Sequence, residues 1–163
     1  MTANERRDKI ESYGKAYDLL AEGLKKYPRE MWEFKPSPKD WSIREILCHI
    51  ADSEANSYVR CRRFIAEPGS GVYGYDTDMW SAGLKYQEQD ADEAIDLFRA
   101  LRRNSYHLIR NLPDSVWSNT VKHSESGTMG MEAWLDIYER HVQEHLTQMD
   151  DAYAAWKTTH AGR

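Results

Sequence analysis

The strongest constraint on this chain's fold is the apolar period of four separate segments, each with its own start or stop signal. Ile10, Tyr13, Tyr17, Leu20, Leu24 and Tyr27 recur at three- and four-residue steps, which lines one face of an α-helix, and Pro28 ends the run. A second run opens on Ser42 and Glu45, the spacing of a capping box. It continues through Ile43, Ile46, Leu47, Ile50, Tyr58, Cys61 and Ile65 to Pro68. A third follows Asp90 and Glu93, with Ala94, Phe98, Leu101, Ser105, Leu108 and Leu112 on one stripe before Pro113. The fourth runs from about Met131 to Trp156, on the stripe Met131, Trp134, Tyr138, His141, His145, Met149, Ala152 and Trp156.

Four amphipathic helices with few strand signals have only one another to pack against, which predicts an all-α four-helix bundle. The 163 residues fit one domain spanning 1–163, long enough to bury a core without covalent staples. The connections are not all short. Glu67 to Gln89 carries Pro68, Gly69, Gly71, Gly74 and Gly83, and a link of that length is expected to be functional or a crossover. A long crossover loop there would let the second and third helices run parallel. The link from Asp114 to Gly130 has room for a short hairpin around Ser126-Gly127.

Composition removes several function classes. A formal charge of −5 opposes nucleic-acid binding, and the clusters Arg60, Arg62, Arg63 and Arg99, Arg102, Arg103 read as solvated helix faces. No apolar run approaches the roughly 18 residues of a membrane span, so a soluble, unprocessed protein is expected. The only two cysteines, Cys48 and Cys61, form no CxxC pair, and a reducing cytoplasm is the natural setting. Cys48 adjoins His49 but points about 100° away on a helix, so it reads as a core residue and not a ligand.

The chemistry lies on the fourth stripe. His141 and His145 stand four apart, so their Cβ atoms lie about 5–6 Å from one another on a helix and both rings can point at one ion. That spacing is a weak signal until position is added. Both fall on the expected buried face, where neutral imidazoles need partners: either a metal ion, or facing side chains in an ordinary core. Two imidazoles seldom hold an ion tightly, and His49 is the candidate third ligand. It lies about 125° from the centre of its helix's apolar stripe, which puts it at the flank near a bundle end. His107 is off its stripe, His123 sits in a link and His160 near the terminus. Asp52, Glu54 and Glu144 remain possible ligands or partners of ligands. Di-iron bundles are excluded, since no histidine has a glutamate three residues before it. The order His141, Glu144, His145 matches the inverted zinc-protease motif, where the glutamate is the base; otherwise Glu144 is a solvent-facing residue beside a ligand.

The run Met31-Trp32, Lys35-Pro36, then Trp41-Ser42-Ile43-Arg44-Glu45-Ile46-Leu47-Cys48-His49-Ile50-Ala51-Asp52-Ser53-Glu54, with His141-Val142-Gln143-Glu144-His145-Leu146 later, resembles the DinB/YfiT-like superfamily. Carried over by position, the resemblance implies that His49, His141 and His145 are the metal ligands. It further implies an up-down-down-up bundle, frequent homodimers and a zinc, nickel or similar ion with open coordination positions. Activities among such proteins include thiol-dependent transfer, with bacillithiol, mycothiol or glutathione as co-substrate, and a similar isomerisation; many members are called metal-dependent hydrolases. The name implies no DNA binding.

Three imidazoles would leave a divalent ion its full charge and an open position, as in catalytic sites. A bound water would become acidic, which suits hydrolysis of a small-molecule substrate. A bound thiol would ionise, which suits an S-transferase using a low-molecular-weight thiol, and the second reading stands slightly ahead. The competing class is a non-catalytic metal-binding dimeric module, for which six tryptophans and ten tyrosines supply contact surface. Tyr73, Tyr75 and Trp80 in the long link either line a pocket or pack over the bundle end.

Overall fold

A computed structural model describes residues 1–160. The first stripe forms two helices, α1 (Ala3–Gly14) and α2 (Ala16–Leu24). They part at Lys15, and the cause lies at Gly14, where a Cβ would stand 2.6 Å from the Tyr106 ring. Only glycine allows that close approach, and a helix bends where such a residue interrupts its ladder. The second stripe is α3 (Ile43–Ala66), and its start is fixed as its letters require: Ser42 Oγ accepts the Glu45 N–H at 3.2 Å, while Glu45 Oε2 accepts the Ser42 N–H at 2.8 Å. The third is α5 (Ala91–Ile109), capped by Asp90 accepting from the Asp92 and Glu93 N–H groups. The fourth is α6 (Met131–His160), longer than its stripe predicts.

The long link after α3 is not structureless. It holds β1 (Gly71–Val72), the short helix α4 (Thr77–Gly83) and a 3₁₀ turn at Tyr86–Glu88. The link before α6 contains β2 (Thr120–His123) and β3 (Gly127–Gly130), an antiparallel hairpin. β1 pairs parallel with the outer edge of β2, Gly71 opposite Lys122 and Val72 opposite His123. An all-α reading therefore omits a small three-stranded sheet, ordered β1-β2-β3, that covers one end of a four-helix bundle.

Two apolar clusters fill the bundle. One joins Leu20, Met31, Ile43, Ile46, Leu47, Phe98, Val142, Leu146 and Met149; the other joins Ile10, Phe64, Val72, Ile109, Trp117, Val121, Met131, Trp134 and Leu135. Between them lies a buried polar layer. Glu54 Oε2 accepts from Arg102 Nη2 at 2.6 Å and Glu54 Oε1 from the Tyr13 hydroxyl at 2.9 Å. Arg102 Nη1 donates to the backbone carbonyls of Tyr13 (3.3 Å) and Tyr138 (3.1 Å). Four helices are thus tied at one level by groups that each satisfy another's charge or hydrogen bond. Arg102, expected on a solvated face, is 1% exposed, because the carboxylate on α3 provides the counter-charge that burial demands.

Further pairings fix how the helices lie along one another. On α3 and α5, Cys48 shares a cavity wall with Ala94, Glu54 meets Arg102, and Arg62 reaches Ser105. Between α1/α2 and α6, Arg6 meets Glu132, Ser12 meets Glu139 and Tyr27 meets Asp150.

Candidate metal site

His49 sits in the second turn of α3, whose register is set by the Ser42 cap, and His141 and His145 occupy successive turns of α6. The crossing of α3 on α6 brings the three rings together. Their nearest nitrogens all lie within 4.8 Å of one another, and the ring centroids are 5.3 Å apart for His49 and His141, 4.8 Å for His49 and His145, and 4.5 Å for His141 and His145. The Nε2 atoms of His141 and His145 are 3.1 Å apart. Two nitrogens each about 2.0–2.1 Å from a tetrahedral ion stand roughly 3.4 Å apart, so this pair needs to open by only a few tenths of an ångström.

Each ring is electrostatically prepared to be a neutral donor. Burial pushes His49 down to about 3, helped by the neighbouring His145. Burial likewise holds His141 well below the usual imidazole range, aided by His145, His49 and Arg102. His145 is lowered by burial against the opposing pull of its Gln148 hydrogen bond and the Glu144 carboxylate. Gln148 Oε1 lies 2.9 Å from His145 Nδ1, and as an acceptor it fixes the proton there, leaving the Nε2 lone pair free. His141 Nε2 then donates to it. The Nδ1 atoms of His49 and His141 are buried with no hydrogen-bond partner among the described residues, so each ring holds a nitrogen whose burial the protein does not compensate. Three imidazoles held neutral, with the His141 and His145 Nε2 atoms facing each other and no other group of the described residues between them, fit a divalent ion's donor set.

Comparison with known proteins agrees on the family. Residues 13–149 match the sequence profile of the DinB superfamily. This chain belongs to the DinB superfamily. Among its relatives are OB0782 of Oceanobacillus iheyensis, 29% identical over 67% of this chain and 63% of that protein, and YfiT of Bacillus subtilis, 25% identical over 68% and 63%. Both names mark them provisionally as metal-dependent hydrolases, and the chain matches slightly under two thirds of their length. The solved structure of YfiT, a four-helix bundle, superposes with a TM-score of 0.85 over 93% of this chain and 87% of that one, at 20% identity. At that identity the likeness establishes the shared fold.

The other residues singled out from this DinB-superfamily sequence fall outside the cluster. His107 is exposed on α5; His123 Nδ1 accepts the Glu125 and Ser126 N–H groups of the hairpin loop, and His160 stacks on Trp156. Glu54 is committed to Arg102 and Tyr13, and Asp52 accepts the Tyr86 hydroxyl at 2.5 Å. Glu144 is exposed and near enough to His145 to be felt, but supplies no atom to the cluster. Tyr73 and Trp80 line a cavity beside α3, with Tyr75 packed on Trp80 at 4.4 Å between ring centroids. His49 itself is 6% exposed, more buried than a flank position implies. The reason is Trp41, whose ring lies 4.9 Å from it and covers it from the segment before the helix. Periodicity also misplaces the α6 stripe slightly. Its core continues through Val142 and Leu146, leaving His141 and His145 half-buried one position aside, open on the flank.

Gln148 was not anticipated, although its place three residues after His145 puts it on the same helix face. Tyr138, one turn before His141 and 5.9 Å from it between ring centroids, is the other neighbour that a helical repeat could have flagged.

Proposed function

We propose that the chain is a divalent-metal-dependent enzyme in which His49, His141 and His145 hold one zinc or nickel ion, and that it transfers a low-molecular-weight thiol onto a small electrophile. The observation that carries this reading is the donor set: three imidazoles kept neutral by burial, with no carboxylate among the clustered ligand atoms of the described residues. A divalent ion on such ligands would lower the pKa of a thiol or water beside it enough to supply a nucleophile at neutral pH. The residues do the rest. Gln148 keeps the His145 proton on Nδ1, and His141 Nε2, which donates to His145 Nε2, would have to give up that proton to hold an ion. Trp41 excludes water from one side of His49. In the transfer, the thiol S–H bond breaks and its proton leaves to solvent, the sulfur bonds to the electrophilic carbon, and the bond from that carbon to its leaving group breaks, the group departing with the electron pair as an anion (halide, for an aryl halide). No free carboxylate is needed, which agrees with Glu54 and Asp52 being occupied elsewhere.

Hydrolysis is the second reading. It is favoured by the relatives' names and by Glu144, whose charge acts on His145 from the solvent side and which would serve as base. We also read the helix order as up-down-down-up. The rising pairings of α3 with α5 and of α1/α2 with α6, set against His49 meeting His145 while Ser57 meets Trp134, support it.

The test is metal analysis of protein purified without metal-affinity resin, then assay of the loaded enzyme. Glutathione and other cellular thiols are offered with an aryl halide, and ester and amide panels are run beside them. Thiol-dependent turnover that Glu144→Gln leaves intact supports transfer. Turnover of esters or amides that needs Glu144 moves the assignment to hydrolase, and tight metal binding without turnover of either kind makes the chain a non-catalytic module.

A further inference from the structure

One face of α3 continues from the histidine cluster into a cavity. His49, Asp52, Asn56, Arg60 and Arg63 follow one another at three- and four-residue steps, within about 60° of a common line on the helix. From Asp52 onward these residues wall an open cleft of about 430 Å³, flanked on the other side by Val72, Tyr73 and Trp80. That volume lies within the range of small-molecule sites. The cavity begins one helical turn from His49. Its link to the cluster is continuous on the α6 side also, since Arg60 Nη1 donates to the Tyr138 hydroxyl at 3.0 Å and the Tyr138 ring packs on His141.

The charge of this cavity differs from that of the chain as a whole. Arg60 is half-buried and meets no carboxylate within 4 Å among the described residues. Its guanidinium is anchored by two neutral acceptors, the Tyr138 hydroxyl and, at 2.5 Å, the Tyr73 carbonyl. Two of its five N–H groups are thereby used, and the group is held in place with donors to spare. Arg63 donates to the Gly71 carbonyl at 2.7 Å and has Glu67 only at 3.8 Å. Asp52 is the single carboxylate on the wall; it stands at the His49 end and already accepts from Tyr86. Arg6, Arg29 and Arg102 have carboxylate partners, and half-buried Arg62, which like Arg60 has none among the described residues, spends its donors on Tyr58, Asn104 and Ser105 outside this cavity. A half-buried guanidinium fixed by neutral groups and left without a counter-ion is built to receive one.

The remaining wall is apolar: Ala55, Val59, Val72 and the Tyr73 and Trp80 rings. We propose that this cavity is the substrate subsite for a small molecule with an apolar body and a terminal carboxylate, bound by Arg60 with Arg63 in support. The planar carboxylate matches the guanidinium fork, and the apolar body lies along Val59 and Trp80 with its other end toward the histidines. The inference rests on the metal reading only for what happens at that other end. Carboxylate recognition itself requires no ion.

The experiment therefore uses metal-free protein. Binding of 4-phenylbutyrate and of its uncharged amide is followed by Trp fluorescence and by chemical-shift changes in ¹H–¹⁵N spectra. The acid is expected to bind at least about tenfold more tightly than the amide, with shifts centred on residues 55–63 and 71–80. Arg60→Gln should remove that preference, Arg60→Lys should restore part of it, and Arg63→Gln should weaken it less. His107→Ala, on the exposed face of α5 and outside this cavity, should leave it unchanged. Acid and amide binding alike, or no saturable binding of either, overturns the proposal on the wild-type chain alone, whether or not the Arg60 variants fold. Failure of the metal reading would appear instead as no ion bound, with the acid preference intact.

Discussion

Replacing Glu54 with Gln tests whether the polar layer across the bundle is held by charge or only by shape. Gln keeps the volume and an acceptor for Arg102, and the Tyr13 hydroxyl can turn to accept from the new amide, so what is lost is the negative charge. Arg102 is 1% exposed, and burial, the largest single influence, works against its charge; the Glu54 carboxylate, with Tyr13 and Tyr138 in support, more than offsets this. Without that carboxylate the guanidinium cannot shed its proton, and an uncompensated buried charge costs about 3–5 kcal/mol. In a domain of this size that is a fall in Tm of roughly 6–20 °C. Arg102→Met should cost less than Glu54→Gln, because a carboxyl group left without its cation can neutralise itself by binding a proton. The double variant should recover part of the loss, with a coupling of about 2 kcal/mol or more. Urea unfolding of metal-free protein by far-ultraviolet circular dichroism measures all three. A loss below about 1 kcal/mol for Glu54→Gln, or a greater loss for Arg102→Met, would refute the reasoning.

Stability should also depend on pH through the three histidines. Their folded pKa values lie below the unfolded value of 6.5, so the unfolded chain binds more protons in the interval. Metal-free protein therefore loses stability as pH falls below 6.5, by up to about 1.4 kcal/mol per pH unit for each histidine, with His49 contributing down to about 3. His49→Gln should flatten the slope between pH 7 and pH 5, and unfolding curves at the two values check it. Cys48 is 2% exposed, its Sγ faces the Tyr86 carbonyl at 3.7 Å, and burial raises its thiol to about 11, so Cys48→Ser should leave metal affinity unchanged in a competition titration. A homodimer is expected through the outer face of α5, where Leu97 and Leu108 are 46% and 36% exposed on one line. Sedimentation should show a dimer that Leu97→Glu converts to monomer, and a wild-type monomer at micromolar concentration would remove that expectation.

The parts of the fold that were legible in the sequence are those set by neighbours in the chain. The Ser42–Glu45 box and the Asp90 cap depend on residues at most four apart and appear where their letters place them, and the four stripes mark the helical segments, although the first is broken at Lys15 and the fourth is turned by one position. What was not legible depends on long-range partners. Arg102 reads as one more surface cation until Glu54, 48 residues away in sequence, is brought against it. Two-residue β1 has no periodic signal of its own and exists through its parallel pairing with β2. The break at Lys15 follows from the Tyr106 ring pressing on Gly14, a contact between α1 and α5. The candidate site divides in the same way. The spacing of His141 and His145 is local and could be read directly, whereas the burial of His49 comes from Trp41 folding over it, and His49 is one candidate for the third ligand beside Asp52, Glu54 and Glu144 until the family resemblance singles it out.

The central claim is that three particular imidazoles form one metal site, and an equilibrium zinc titration of the metal-free chain and its histidine variants tests it most directly. One ion per chain is expected, with affinity falling by at least about a hundredfold in each of His49→Ala, His141→Ala and His145→Ala, and unchanged in His107→Ala and His123→Ala. Binding should weaken as pH falls, because protons compete for the same nitrogens. Undiminished affinity in folded His49→Ala, with the same stoichiometry and pH profile as the wild type, would contradict the account.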